Sequence, residues 1–158
     1  MIDITAILSL SGTAKIIQGI FAGFLAGIIM GLASECLYRL KIFKSSLLLV
    51  DGMFFIRSIR IKPSDAALYA AGIPIHLITS SVFGGIYIII SAILKIDALS
   101  PYVISFYFFI MWLSMLFIAL PVAGQGMLGE RLHRSTWLEQ LALHIVFGIT
   151  YFEALQIF

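Results

Sequence analysis

Charge is scarce in this chain. Its 158 residues include ten Lys and Arg and eight Asp and Glu, so 11% are charged, where a soluble globular domain carries about a quarter. So few charged side chains cannot cover a water-facing surface, and a net charge of +2 leaves no basic patch for nucleic acid. Cysteine occurs once, at Cys36, which excludes an internal disulfide and every paired-cysteine redox or metal motif. His-Glu-x-x-His, Gly-x-Ser-x-Gly and the glycine-rich phosphate loop are also missing, and the hydrolase and nucleotide signatures go with them. No catalytic residue is nominated, and the chain reads as non-enzymatic.

Hydrophobic runs are what the sequence has instead. Hydrophobic residues make up 61% of it, and the mean hydropathy is +1.10. Crossing about 30 Å of hydrocarbon takes roughly 20 apolar residues at 1.5 Å per residue. Four stretches qualify, at 16–38, 66–94, 101–123 and 137–157, and they leave little for a soluble part. The expected fold is all-α, an integral membrane four-helix bundle forming a single transmembrane domain over 1–158. The first run is longer than the ~7–15 residues of a signal-peptide core and no small-residue cleavage pattern follows it, so it is expected to remain as a helix.

Of the ten basic residues, Arg39, Lys41, Lys44, Arg57, Arg60 and Lys62 lie between the first and second spans, and Arg131 and Arg134 between the third and fourth. The positive-inside rule therefore puts both of these loops in the cytoplasm and both chain ends outside, as an even number of spans requires. The compartment expected is a prokaryotic cytoplasmic membrane.

Gly19, Gly23, Gly27 and Gly31 recur every fourth residue through the first span, so one edge of that helix has no side chains. In hydrocarbon, where little hydrophobic force acts between helices, such a row permits the close backbone approach that holds two helices together. At the cytoplasmic end of this span Glu35 precedes Arg39 by four residues, the order that favours an ion pair; a proton-carrying role for Glu35 is the sharper alternative. Between the first two spans, Leu47–Val50 and Met53–Ile56 form an apolar block broken by Asp51-Gly52. It is too short to cross, so 42–62 is read as an interfacial segment lying at the headgroups or against the bundle, with a turn at Asp51-Gly52. The following run 57–62 alternates basic and apolar residues and suits an anionic headgroup surface or a partner protein.

Three start signals set the later helices. Pro63-Ser64-Asp65 supplies a turn and an N-cap, Ser100-Pro101 a cap followed by proline, and Thr136 with Glu139 the spacing of a capping box. The third span carries Tyr102, Phe106, Tyr107, Phe108, Phe109, Trp112 and Phe117 and no charge, which suits exposure to lipid or to another apolar subunit. Its exit, with Pro121, Gly124, Gly126 and Gly129, is expected to be kinked or irregular.

Val-Phe-Gly-x-x-Tyr occurs twice, at 82–87 in the second span and 146–151 in the fourth, each time with a histidine upstream on the row of its glycine. The second-span row reads Gly72, His76, Ser80, Gly84; in the fourth span His144 precedes Gly148 by four. Two helical hairpins in parallel repeat would produce this echo. The glycine-rich first helix followed by His76-x-x-x-Ser80-x-x-x-Gly84-x-x-Tyr87 resembles the YagU-type group of uncharacterised bacterial inner-membrane proteins. The likeness covers the first and second spans and part of the fourth and does not extend to the Leu47–Ile56 block. It implies a small helical inner-membrane protein and brings no reaction and no site residues.

Two histidines within spans raise a chemical possibility. His76 and His144 would serve as axial ligands of a b-type haem, since neutral imidazole binds iron well and the small residues nearby leave room for a flat macrocycle. Their depths differ by about three residues, on the order of 5 Å, and Arg60, Lys62, Arg131 and Arg134 would meet the propionates. The simpler reading makes each histidine a hydrogen-bonding link between helices. Bound lipid or quinone in the glycine groove is a further candidate. The function expected is that of an accessory or structural subunit packing with other transmembrane subunits, or with itself, in a larger membrane complex. Electron transfer through haem, and proton or solute conduction, are the alternatives.

Overall fold

α1 (Leu10–Arg39) carries on past both ends of the first apolar run, because Ser11, Thr13 and Lys15 extend the helix where hydropathy has already fallen. Its thirty residues reach about 45 Å, more than the hydrocarbon core requires. The chain leaves it through Lys41 at φ 60°, with the N–H groups of Ile42 and Phe43 both bonded to the Leu37 carbonyl. In this computed structural model residues 10–59 and 64–157 are described, without the side chains of Leu10 and of 57–59. The basic and apolar alternation over 57–62, and the turn expected at Pro63, therefore lie outside the described residues.

α2 (Leu47–Ile59) runs straight through Asp51-Gly52, where the sequence reads a turn. Leu47, Val50, Asp51 and Phe54 share one face at helical spacing, and the Asp51 carboxylate finds a partner within the protein, so nothing forces the backbone to bend. Leu47, Val50 and Ile56 are buried. The segment is a helix of about 20 Å packed along the next span, with Phe54 and Phe55 left exposed.

α3 (Asp65–Leu94) starts at Ser64, whose hydroxyl accepts the Ala67 N–H at 3.2 Å, and closes at Lys95 in the left-handed conformation with φ 56°. Pro74 lies inside it and removes one donor from the helical ladder. α4 begins at Pro101, and here the Ser100 side chain makes no cap bond. It is α-helical over Pro101–Ser114, π-helical over Met115–Ala119, and ends in the turn Leu120–Val122. The wide turn comes just before Pro121, where a missing N–H disturbs the regular ladder. The expected irregular exit follows: Gly124, Gly126, Leu128 and Gly129 all have positive φ, around a short 3-10 turn at Met127–Gly129.

α5 (Thr136–Ile157) starts where the sequence places it, but the hydroxyl that bonds Glu139 is that of Ser135, which donates to Glu139 Oε1 at 2.6 Å, while the Leu138 and Glu139 N–H groups go to the Ser135 carbonyl. Thr136 is fully buried, and its hydroxyl has no partner among the described residues. α1 packs against α3 and α5, α2 against α3, and α4 against α5. Ala22, Ala26 and Met30 of α1, Leu116 and Leu120 of α4, and Leu143 and Phe147 of α5 form the centre of the core. Around Phe108 the rings of Tyr87, Tyr107, Phe147 and Tyr151 lie with centroids 4.9 to 6.5 Å away.

Candidate functional site

The glycine row of α1 faces α3 of the same chain. A Cβ placed at Gly19 would stand 2.7 Å from the Gly84 carbonyl oxygen, one at Gly27 2.7 Å from Ser80 Oγ, and one at Gly23 would run into the Ser80 carbonyl. The reverse holds for Gly84, whose Cβ would lie 2.9 Å from Gly23 Cα. Gly72 stands one helix over, where a side chain would strike the Leu48 carbonyl of α2, and Gly52 meets Leu68 in the same way. Gly31 and Gly148 are looser: their nearest neighbours, the His76 ring and the Phe108 ring, would both be 3.4 Å from a Cβ. The row is thus occupied by α3 along most of its length and is not an open groove.

That close approach puts His76 inside. The buried ring lies between Asp51 of α2 and the α1 backbone, with Nδ1 3.0 Å from Asp51 Oδ2 and Nε2 3.0 Å from the Gly27 carbonyl oxygen. A carbonyl only accepts, so Nε2 carries a hydrogen and donates it. On α5, His144 Nδ1 is 2.8 Å from the Gln140 carbonyl oxygen, a bond within its own helix that leaves Nε2 free of partners among the described residues. Asp51, His76 and His144 all line one cavity of about 480 Å³.

This geometry does not fit bis-imidazole haem. His76 uses both ring nitrogens on protein atoms, so it has none to offer iron without losing Asp51 or Gly27. Among the described residues no group of three or more His, Cys, Asp or Glu side chains gathers as a metal site either.

Two carboxylates near the ends of α1 and α5 fasten the chain entry to α2. Glu35 takes Arg39 Nε at 2.6 Å, Ser46 Oγ at 3.0 Å and the Tyr69 hydroxyl at 3.1 Å, which joins α1, the loop and α3. Glu139 Oε2 accepts the N–H groups of Lys44 and Ser45 at 3.1 and 3.2 Å and Ser45 Oγ at 2.9 Å. Ser34 Oγ accepts the Leu47 N–H at 2.9 Å. Such acceptors satisfy donors that a helix start leaves open.

Sequence reasoning missed Asp51, Glu139 and Ser34 as long-range partners. For Asp51 a signal existed: it is the only acid in an apolar block and sits on the helical row Leu47, Val50, Phe54. It also missed Gln140, which is 1% exposed with neither amide atom partnered among the described residues.

The fold and site together define a class: an all-helical chain, among the described residues, with four helices long and apolar enough to cross a membrane. No protein-family model, curated protein or solved structure matches it.

Proposed function

We propose that this chain is a non-enzymatic integral membrane protein, a small subunit that packs through α4 against a different membrane chain in a larger assembly. The observation that carries the reading is the state of α4. Of its α-helical part only Ile104 and Phe108 are buried, while Tyr102, Phe106, Phe109 and Phe117 are exposed. Aromatic residues on lipid-facing helices gather at the two interfaces. Phe106 and Phe109 lie well inside the span, where a packed neighbour is the better use for rings.

The proposed topology is four spans with both chain ends outside and the 40–64 and 123–135 connections on the cytoplasmic side of a bacterial membrane, α2 reaching back along α3; the basic residues support the orientation, and the YagU-type resemblance the source. The parallel-repeat reading of the bundle has support in the packing: Gly84 of α3 faces α1, and Gly148 of α5 faces α4. Conduction finds none. Thr79, Ser81, Ser91, Ser114 and Thr150 all turn their hydroxyls back to carbonyls of their own helices, so they do not line up as a path for water or ions.

Gentle extraction in a mild detergent tests the proposal. The chain is expected to migrate well above its 17.5 kDa mass with a second protein in fixed ratio. Migration as a free monomer, or only with copies of itself, would contradict it.

A further inference from the structure

All five helices contribute to the cavity that holds Asp51, His76 and His144. At about 480 Å³ it falls in the range of roughly 300–1,000 Å³ typical of small-molecule pockets. Phe83, Phe108, Met111, Met115 and Phe147 make most of its wall apolar. Phe54 and Ile118 also line it and are exposed on the outside of the helices, so it opens sideways, toward hydrocarbon in the proposed orientation.

Most polar atoms facing this space are acceptors; the exception is the Ser80 hydroxyl, which gives its proton to no acceptor among the described residues. His144 commits its Nδ1 hydrogen to the Gln140 carbonyl, so the neutral ring presents the Nε2 lone pair. Asp51 uses Oδ2 on His76 and leaves Oδ1 without a partner among the described residues. Thr79 and Ser114 give their hydroxyl protons to the carbonyls of Ile75 and Ile110, so only lone pairs remain. Acceptors in an apolar pocket select a ligand that supplies donors, and they leave a ligand made of acceptors unpaired.

We infer that the cavity binds an apolar membrane molecule bearing hydroxyl donors, of the size and kind of a hydroquinone ring, with His144 Nε2 and Asp51 Oδ1 as its two acceptors. The corresponding quinone has carbonyls in place of hydroxyls and meets acceptor with acceptor. A site built to receive a hydroxyl discriminates strongly against the analogue that lacks its proton.

The test titrates the full chain in mild detergent with a decyl-tailed benzoquinol, held reduced under argon, and with the matching quinone, following the thermal midpoint. The quinol is expected to bind about ten-fold or more tightly than the quinone. His144→Phe, which keeps a ring and removes the acceptor, and Asp51→Leu, which removes both carboxylate oxygens, are each expected to bring quinol affinity down toward that of the quinone while quinone affinity holds. Equal affinity for the two, preference for the quinone, or no saturable quinol binding by folded protein would overturn the inference. So would a co-purified phospholipid that fills the cavity and resists displacement by the quinol. If either variant fails to fold, the wild-type ratio of quinol to quinone affinity decides alone.

Discussion

At the residue scale, the glycines separate into two kinds that look identical in sequence. Gly84 stands against the α1 backbone, where neither partner can move aside, whereas Gly148 faces the edge of one phenylalanine ring. Gly84→Ala should therefore destabilise by about 1–3 kcal/mol or more, as overpacking does. At roughly 2–4 °C per kcal/mol for a chain of this size, a thermal melt in detergent would show a drop of several degrees. Gly148→Ala should shift the same melt by less than a degree or two; equal losses from both would contradict the packing. Gln140 gives a test of opposite sign. Its amide is buried with neither atom paired among the described residues, so Gln140→Leu should leave stability unchanged or raise it by about 1 kcal/mol. A clear loss would mean that the amide has a partner in the membrane. The four-residue spacing made the α1 row legible, because small residues at i and i+4 share an edge whatever lies opposite. Which partner fills that edge was not legible, since α3 and a second chain would leave the same pattern.

The element whose nature the sequence hid most is α2. Its length excluded a span, and Asp-Gly is common in turns, yet the dipeptide has two separate long-range reasons: Asp51 reaches His76, and Gly52 lets α2 approach α3. Neither reason is local, so no window of sequence contains it. The start signals read better, because caps depend on neighbours in the chain: Ser64 caps α3 as expected, and Glu139 finds its hydroxyl partner at Ser135, one residue before Thr136. Glu139 then has a second task on α2, ninety-four residues away from Ser45. Glu139→Gln should loosen that anchor by about 1–3 kcal/mol for the donors it no longer satisfies fully. Amide hydrogen exchange over 44–50 should speed up about ten-fold while α5 itself is unaffected; unchanged protection of 44–50 would show that Glu139 does not hold α2.

For the whole molecule, hydropathy was enough to locate four membrane-length helices, because the bilayer's thickness imposes a minimum length that few soluble helices share. The pairing of helices was not visible, since apolar faces in a membrane protein carry no mark distinguishing lipid from protein. Orientation is testable with single cysteines on a Cys36→Ala background. Asp97→Cys, between α3 and α4, should react with an impermeant maleimide in intact cells, and His133→Cys, between α4 and α5, only after the membrane is opened. The reverse pattern would invert the topology. What α4 faces is best asked inside the native membrane, with the photo-crosslinker p-benzoylphenylalanine replacing Phe106. Illumination should yield an adduct that contains this chain and a second membrane protein. Adducts with lipid alone, at Phe106 and equally at Phe109 and Phe117, would show that the aromatic face meets only the bilayer and that the chain is not a subunit through α4.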